Sequence, residues 1–597
     1  MSATRVCGDL LIAAGPEAAA WLAAQPHGAA SCIGDARLRA RLDGGAQARH
    51  EGDVQAFGLY DLIAGEPADT LAACAQRRDP APLWADRRGR FAEALWDGDA
   101  LAVANDHFDT IPLYYLQAPG LLLVATRLRT LLAAPWCARE ADPLAVYHYL
   151  NFSCIPAPAT ICSGVRRLPP GSVLRWRGGE VGITRYWRPT YAEDVDGDET
   201  LRARELAAQI RTSVEAYRPP ADDRWGCFLS GGTDSSSVLI LLSRQQPGTR
   251  VPSYSIGFAE QGYDELGFAR IAAEAAGADA HYGVVDMRQT LDLAPRLADI
   301  YDQPFGNASA VPTYACLALA RGDGVRTMLA GDGGDEIFGG NQRYAKDRMM
   351  DAYYRLPRPL KALGGAIGRA VSGGRVHLLN RIGNFVERAA LPNPDRFYTD
   401  DSFGSDHYEA LLAPEFAAQV ERDASLQAMR AIYAEGQARA ELHRLMYLDL
   451  MMAIAQNDLV KVHGAARAQG VDVRFPYLDP DLVEHTGSLM AHYKVRGLHK
   501  RYLFKRALAD VLPQAIRSKK KQGFGLPIAV WMKDAPAFRA LVTDTLGSRR
   551  ARERGWFRTD FVERLLREHV AGAWDYSAPL WAMLQLELWL ERHLDPN

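Results

Sequence analysis

The hydrophobic pattern of the chain changes once, at the acidic stretch TYAEDVDGDET, which has no apolar period and contains glycine. Before this stretch, short apolar runs are separated by turn residues, as in RFAEALWDGDALAVANDH, where DGD divides two runs. Such a pattern predicts strands joined by tight turns. We therefore expect one domain over residues 1–190 and a second over residues 200–597.

The second part alternates between two kinds of apolar pattern. LRARELAAQIRTSVEAY opens it with the 3.6-residue period of an amphipathic helix. WGCFLS, VPSYSIGF and VRTMLAG have the composition of buried strands, and helical patterns such as SSSVLILLSR and DELGFARIAAEAAG lie between them. This alternation predicts a mostly parallel sheet with binding loops at the C-terminal strand ends. From about Phe338 onward the pattern predicts helices almost to the end.

Composition excludes several classes of protein. Hydrophobic residues make up 48% and charged residues 24% of 597, which is typical of a soluble globular protein. The formal net charge of −3 gives no support to nucleic-acid binding, and no apolar run approaches a membrane span. The eight cysteines form no CxxC pair, which indicates neither a zinc site nor a disulfide framework and favours a cytoplasmic location.

The segment CFLSGGTDSS is the most informative part of the sequence. An apolar strand runs into two glycines, Gly231 and Gly232, and a helical pattern begins at once. Glycines let the backbone approach a phosphate, and a helix N-terminus offers unpaired N–H groups. Ser230 and Ser235 add hydroxyl donors, and Asp234 is suited to hold Mg²⁺ against phosphate oxygens. A tight strand–helix turn capped by Asp or Ser is an equal alternative for Ser-Gly-Gly alone.

Three further segments have unusual composition. GDGGDE follows the strand VRTMLA and places Asp332 and Asp335 at its C-terminal end, where an ordinary surface turn is the alternative. VRFPYLD and KQGFG interrupt the helical pattern later in the chain. Lys521 opens KQGFG, and a solvated basic run is the alternative there because Lys519 and Lys520 precede it.

In this order and spacing, together with SYSIGF and DQPFGNASAVPTY, these motifs resemble the asparagine synthetase family of the ATP-pyrophosphatase superfamily. The resemblance covers about residues 200–535. It implies an α/β protein in which an N-terminal Ntn-hydrolase-like αββα sandwich precedes a doubly wound parallel sheet with a helical C-terminal region. It also implies Mg²⁺-dependent cleavage of ATP between its α and β phosphates.

The resemblance also assigns roles to individual residues. Lys521 falls on the lysine that stabilises negative charge on phosphate and on the later tetrahedral intermediate, a use that suits a fixed cation in a closed site. The implied adenine-pocket residues are Phe228, Ile256 and Gly331; the implied pyrophosphate ligands are Ser230, Gly231, Gly232, Asp234 and Ser235; and the implied Mg²⁺ ligands are Asp234 and Asp335.

The N-terminal domain resembles the family's glutaminase half, chiefly in FAEALWDGDALAVANDHFDTIPLYY, but lacks its catalytic residues. Working members carry Cys at position 2, where removal of Met exposes a thiol beside a free amine, whereas this chain has Ser2. Cys7 lies behind residues that would need removal, and the Asn-Gly-Glu and Arg-Gly-Pro-Asp segments are absent. We expect no glutaminase activity.

Two departures concern the reacting amine. Lactam-forming relatives pair a residue at the position of Asp332 with an acid before VRxP, here Asp472, to deprotonate that amine. Adjacent carboxylates raise one pKa, which suits a general base. An equal alternative is that Asp332 only caps its loop and that Asp472 pairs with Arg474. Second, the family's Lys-Val-Asp-Arg is replaced here by KVHG, which disfavours aspartate as substrate.

Without internal ammonia, the substrate's own amine is the favoured nucleophile, because groups held in one molecule react with a large effective-concentration advantage. Relatives with an inactive glutaminase domain include β-lactam and carbapenam synthetases and lasso-peptide cyclases. The sequence predicts a lasso-peptide cyclase that takes a precursor core peptide and works beside a leader peptidase and a leader-recognition protein. The alternatives are an asparagine synthetase that uses free ammonia, a β-lactam- or carbapenam-type synthetase, and an inert nucleotide-binding scaffold.

Overall fold

A computed structural model describes residues 8–26, 30–260, 263, 266–357, 359, 361, 384–519 and 525–595. The predicted fold class is confirmed: a two-sheet sandwich is followed by a domain built on a parallel sheet with helices around it. None of the helices in these ranges is both long and apolar enough to cross a membrane.

The first domain is a sandwich of two six-stranded antiparallel sheets, in the orders β10-β8-β9-β1-β3-β2 and β12-β11-β7-β6-β5-β4. Its strands are β1 Asp9–Ala14, β2 Ser31–Gly34, β3 Leu38–Asp43, β4 Gln47–Glu51, β5 Val54–Ala64, β6 Arg88–Trp96, β7 Ala100–Asn105, β8 Tyr114–Ala118, β9 Leu121–Ala125, β10 Val165–Arg167, β11 Ser172–Arg177 and β12 Glu180–Arg185. Its helices are α1 Pro16–Ala24, α2 Pro67–Ala75, α3 Ala81–Ala85, α4 Leu128–Leu132 and α5 Pro143–Phe152.

Alternation along the strands builds the sandwich core. In β1, Leu10 and Ile12 face the second sheet, where they pack with Phe57 and Val103. The intervening Leu11 faces outward, toward the helices and the rest of the chain. This two-residue period is the pattern that predicts strands from the sequence.

The second domain surrounds a parallel sheet in the order β15-β14-β13-β16-β17. Its strands are β13 Trp225–Phe228, β14 Pro252–Phe258, β15 Asp279–Val285, β16 Thr327–Leu329 and β17 Asp472–Arg474, with a separate hairpin of β18 Val495–Arg496 and β19 His499–Lys500. Its helices up to residue 354 are α6 Glu199–Ala216, α7 Thr233–Arg244, α8 Leu266–Ala276, α9 Met287–Leu293, α10 Leu297–Ile300, α11 Ala310–Gly322, α12 Gly334–Phe338 and α13 Gln342–Tyr354.

The C-terminal region is helical, as predicted, except for β17–β19. Its helices are α14 Asp395–Tyr398, α15 Phe403–Asp406, α16 Tyr408–Leu411, α17 Pro414–Ala417, α18 Ala424–Glu435, α19 Glu441–Asp449, a π-helix Leu450–Asp458, α20 Leu459–Gln469, α21 Pro480–Ser488, α22 Tyr502–Ala507, α23 Gln514–Ser518, α24 Ile528–Asp534, α25 Pro536–Leu546, α26 Arg549–Arg554, α27 Thr559–Val570 and α28 Ser577–His593. Two short 3₁₀ helices span Pro476–Leu478 and Ala491–Tyr493.

One continuous hydrophobic core joins the two domains. It contains Leu11 of β1, Tyr149 of α5 and Trp581 of α28. The Tyr149 hydroxyl donates a hydrogen bond to the Ala582 carbonyl at 2.8 Å, so a polar contact accompanies the apolar one. The two domains are therefore packed as one body rather than linked by a flexible tether.

Candidate active site

The loop between β13 and α7 has the geometry of an anion-binding loop. Gly231 has a φ of 67°, and a Cβ there would lie 2.5 Å from the Ala269 nitrogen, so only glycine fits. The hydroxyls of Ser230 and Ser235 lie 3.1 Å apart across the loop. In the described chain no side chain caps the N-terminus of α7 at Gly232, which leaves its first N–H groups for an anion.

The GDGGDE loop packs directly against this phosphate loop. A Cβ at Gly331 would lie 2.8 Å from the Ser235 nitrogen, and one at Gly334 would lie 2.6 Å from an Asp234 carboxylate oxygen. Gly333, with a φ of 89°, starts α12, whose first turn carries Asp335. These close approaches require the glycines and bring the carboxylates of Asp234 and Asp335 to one place.

Arg501 binds both of these carboxylates. Its guanidinium makes ion pairs with Asp234 and with Asp335, and it also contacts the Thr233 hydroxyl. Arg501 precedes α22 in a left-handed conformation and is 7% exposed. Burial alone would lower the pKa of Arg501, but the two carboxylates raise it above its ordinary value. A fixed positive charge therefore balances the two acids.

The residues present fit the implied Mg²⁺. Two carboxylates beside a phosphate loop form the donor set that Mg²⁺ prefers, since it is usually held by one or two carboxylates and the substrate's phosphates. Asp234 and Asp335 supply these donors, and the guanidinium of Arg501 lies between their carboxylates. The roles of these residues toward ATP and Mg²⁺ stay predictions.

Both loops open into one cavity of about 390 Å³. Of the predicted residues, Gly231 and Gly232 lie in the loop behind it, and the following line it: Phe228, Ser230, Asp234, Ser235, Ile256, Gly331, Asp332 and Asp335. The opposite wall comes from the π-helix and α20, with Ala453, Ile454, Asp458 and Lys461. The cavity thus joins the C-terminal ends of β13, β14 and β16 to a helical wall.

Asp332, in the GDGGDE loop, faces a charged pair on this helical wall, Asp458 and Lys461. Burial raises the pKa of Asp332 from 3.8 to about 6, although the positive charge of Lys461 opposes that rise. Lys461 donates a hydrogen bond from Nζ to Asp458 at 2.6 Å. At neutral pH Asp332 is therefore an ionised carboxylate that can accept a proton inside the cavity.

A second, smaller cavity of about 80 Å³ lies on the other side of the π-helix. Ala453 lines both cavities, and Met452 and Asn457 face the second one. Its far wall includes Arg343, which stacks on the Phe397 ring at 3.5 Å and binds Asp401 at 3.0 Å. π-helical turns are rare and are frequent at functional sites, which agrees with this position between two cavities.

The comparison with known protein families agrees with this geometry. The family model described as Asparagine synthase matches residues 196–591, which is more than half of the chain. The chain belongs to the asparagine synthase family. A second model, described as Glutamine amidotransferase domain, matches residues 71–187. Members of the asparagine synthase family are ATP-dependent ligases that form amides, typically with Mg²⁺.

Individual proteins are similar to this chain over most of their length. A putative glutamine-hydrolysing asparagine synthetase of Mycobacterium tuberculosis is 30% identical, over 84% of this chain and 76% of the relative. Asparagine synthetase 1 of Bacillus subtilis, also named glutamine-hydrolysing, is 25% identical over 84% and 77%. A Penicillium rubens protein named Amidase chyE is 24% identical over 74% and 70%.

The predicted pairing of Asp332 with Asp472 is wrong. In the register of the parallel sheet, Asp472 pairs with Thr327 at the start of β16, whereas Asp332 follows the end of that strand. The Asp472 carboxylate lies 3.8 Å from Arg90 of the first domain. The alternative pairing of Asp472 with Arg474 is also not observed, because Arg474 binds Asp61 at 2.6 Å.

The remaining predicted site residues line the ATP cavity and its loop or lie outside the described residues, and two charged residues of the site were not predicted. Lys521 lies outside the described residues, so its role stays a prediction. Arg501 was not predicted, since HKRYLFKR reads as a basic surface run. The KVHG segment gives no role to Lys461 by itself. A lysine inside an apolar helical pattern is nevertheless a signal of a buried charge.

The pKa of Asp332 gives a pH prediction for the asparagine synthase site. Because a protonated Asp332 cannot accept a proton, kcat/KM for amide formation is expected to fall as pH drops through about 6, by about tenfold per pH unit. Asp332→Asn should lower the activity and remove this limb of the profile. A pH profile from 4.5 to 8.5 measures both, and an unchanged limb in Asp332→Asn would assign it to another group.

Proposed function

We propose that this protein adenylates a carboxylate of its substrate and closes an intramolecular lactam with an amine of the same molecule. The leading product is the isopeptide macrolactam of a lasso peptide. This goes further than the family's ATP-dependent amidation, because it names the nucleophile. The proposal implies a precursor core peptide as substrate, with a leader peptidase and a leader-recognition protein as partners.

The observation that carries the proposal is the small cavity between the first domain and α20, the helix whose Lys461 lines the ATP cavity. An asparagine synthetase needs an internal route for ammonia between its halves. Here the cavity between the first domain and α20 has a volume of about 30 Å³. The buried ion pair of Arg167 with Asp109, at 2.7 Å, lines this cavity. A narrow cavity beside this ion pair supports a nucleophile other than ammonia from the first domain, and we propose the substrate's own amine.

Sequence supports the same conclusion. The domain lacks the Asn-Gly-Glu and Arg-Gly-Pro-Asp segments with which the resembled glutaminases hold glutamine. His463 stands where the family carries Asp, and its Nδ1 lies 3.3 Å from Nη2 of Arg90, a residue of the first domain. A residue of the expected acceptor pocket is thus committed to a contact between domains, which agrees with a substrate other than aspartate.

The residues of the cavity would divide the two chemical steps between them. In the first step, a carboxylate oxygen of the substrate attacks the α phosphorus of ATP, and pyrophosphate leaves onto the N-terminus of α7 and the Ser230 and Ser235 hydroxyls. Asp234 and Asp335 would hold Mg²⁺, which supplies positive charge to the phosphate oxygens.

In the second step, the substrate amine attacks the acyl carbon and AMP leaves with the bonding electrons. Asp332 would take the amine's proton, with its charge balanced by Lys461. The amine must reach the acyl adenylate inside the ATP cavity, where Asp332 lies. Holding both reacting groups in this way supplies most of the advantage of an intramolecular reaction.

The test of this function is a direct comparison of substrates. The protein is incubated with Mg-ATP and either a leader-free precursor peptide or aspartate with ammonium chloride. We expect the peptide to lose the mass of one water, with one AMP formed per ring. Asparagine formation without peptide dehydration would instead favour an ammonia-dependent asparagine synthetase, the activity in the names of several relatives. Absence of both reactions would favour a scaffold.

A separate prediction concerns glutamine. Since the glutamine-holding segments are missing, we expect no glutamate from glutamine in the presence of Mg-ATP, and Cys7→Ser should leave amide formation unchanged. Cys7 lies outside the described residues. Glutamate release can be measured by a coupled dehydrogenase assay. Glutamate that appears with the native protein and disappears in Cys7→Ser would show a working glutaminase.

A further inference from the structure

Arginines from both domains meet in a cleft away from the ATP cavity. Two adjoining cavities, of about 230 and 200 Å³, share Arg127 and Arg129 as lining residues. Arg296 and Arg467 of the second domain line the larger cavity, and Arg41 of the first domain lines the smaller. We call this region the interdomain arginine cleft.

Negative charge in the cleft is insufficient to balance these arginines. Asp302, which is 4% exposed at its side chain, accepts hydrogen bonds from Arg127 at 3.2 Å and from Arg467 at 3.1 Å, and Arg129 lies 3.7 Å from it. Three guanidinium groups thus share one carboxylate. Asp9 adds a second contact to Arg127 at 3.4 Å.

The remaining groups do not change this balance. Asp299 lines the cleft but is paired with Arg592 at 2.8 Å. Arg296 donates a hydrogen bond to the hydroxyl of Tyr314 at 3.2 Å, a neutral partner. Among the described residues, the cleft and its ion pairs therefore contain six arginines and three aspartates, a net charge of +3.

A cavity lined by more guanidinium groups than carboxylates favours an anion. Arginine offers a planar fork of donors that matches phosphate oxygens in pairs, and it stays charged at any physiological pH. A volume of about 230 Å³ is smaller than the pockets that hold drug-sized ligands, which indicates a compact anion. We propose that the interdomain arginine cleft binds a phosphate-type anion that bridges the two domains.

This site is distinct from the ATP cavity but touches the same helices. The two cavities of the cleft share no lining residue with the ATP cavity. Helix α20 carries Lys461 toward the ATP cavity and Arg467 toward the cleft, and α11 carries Thr313 and Tyr314 in the same way. An anion in the cleft would therefore hold the back of the helix pair whose front forms the ATP cavity wall.

Two anions share this phosphate chemistry: free phosphate and the pyrophosphate that an AMP-forming ligase releases. Isothermal titration with sodium phosphate and, separately, with sodium pyrophosphate distinguishes them by affinity. We use the double variant Arg129→Ala/Arg296→Ala, since Arg127 and Arg467 hold the domains together. Phosphate binding is expected to weaken at least tenfold in this variant. Pyrophosphate as the physiological ligand predicts tighter binding than phosphate and the same loss.

Three controls make the test decisive. Arg177→Ala removes an exposed arginine, 75% accessible and paired with Asp99, and should leave binding unchanged. Ser230→Ala, in the phosphate loop where pyrophosphate is also expected to bind, should weaken only the binding at that loop and leave the cleft's binding in place. If the double alanine variant does not fold, Arg129→Lys/Arg296→Lys keeps the charge without the fork and should still weaken binding. No phosphate binding by the native protein, equal affinity in the cleft variants, or loss of all binding in Ser230→Ala would overturn the proposal.

Discussion

Asp234→Ala is expected to abolish substrate-dependent pyrophosphate release while the protein stays folded. Asp234 lies at the first turn of α7, among the residues that line the ATP cavity, and it shares Arg501 with Asp335. Its loss removes a carboxylate from the proposed metal site and leaves Arg501 with one acidic partner. Removing one such fixed charge typically costs about 10²–10³ in rate. Release of pyrophosphate from Mg-ATP and substrate gives the rate.

The matched control is Asp510→Ala, which removes a surface aspartate, 63% exposed, that binds Arg211. This variant should keep the native rate. Circular dichroism and thermal unfolding of both variants separate a catalytic loss from an unfolded protein. If Asp234→Ala turns over ATP at the native rate, the assignment of this loop to the phosphates is wrong.

Lys461→Met should produce the second large loss. Burial alone would lower the pKa of Lys461, but Asp458 and Asp332 raise it above its ordinary value. The side chain is therefore positively charged at neutral pH. Methionine keeps the length and removes the charge. We expect roughly 2–4 kcal/mol less transition-state stabilisation, which is about 30- to 1,000-fold in kcat/KM.

The same substitution has a second readout. Without Lys461, Asp332 retains the repulsion of Asp458 and loses the charge that holds its pKa down, so the acid limb of the pH profile should move above 6. Lys461→Arg keeps the positive charge and should leave that limb near its native position. An unchanged limb in Lys461→Met, together with native activity, would place Lys461 outside the chemistry.

Much of the sheet and both loops could be predicted from the sequence because they depend on local pattern. Glycine next to a buried strand marks the places where a backbone must pass close to another, and Gly231 and Gly331 do so here. The strand β17 could not be predicted in this way. It has three residues and follows a long helical region, so only its pairing with β16 makes it a strand.

The partners of the charged residues could not be predicted for a related reason. Arg501 reaches Asp234 across 267 residues, and Arg90 reaches the Val473 carbonyl, at 2.9 Å, across 383. Sequence spacing carries no information on such pairs. The hypothesis that Asp332 pairs with Asp472 was wrong for the same reason. The resemblance supplied the two acids, and only the register of the sheet shows that Asp472 lies beside the start of β16 whereas Asp332 follows its end.

The continuous core that unites Leu11 with Trp581 limits how this protein can evolve and be engineered. A first domain that has no glutaminase activity, as the sequence predicts here, would be lost readily if it were only an appendage. Here its removal would strip the cover from the C-terminal helix and leave Asp479, 1% exposed and paired with Arg88 at 2.6 Å, without its counter-charge. The first domain thus stabilises the second, and chimeras between relatives should succeed only when both halves are exchanged together.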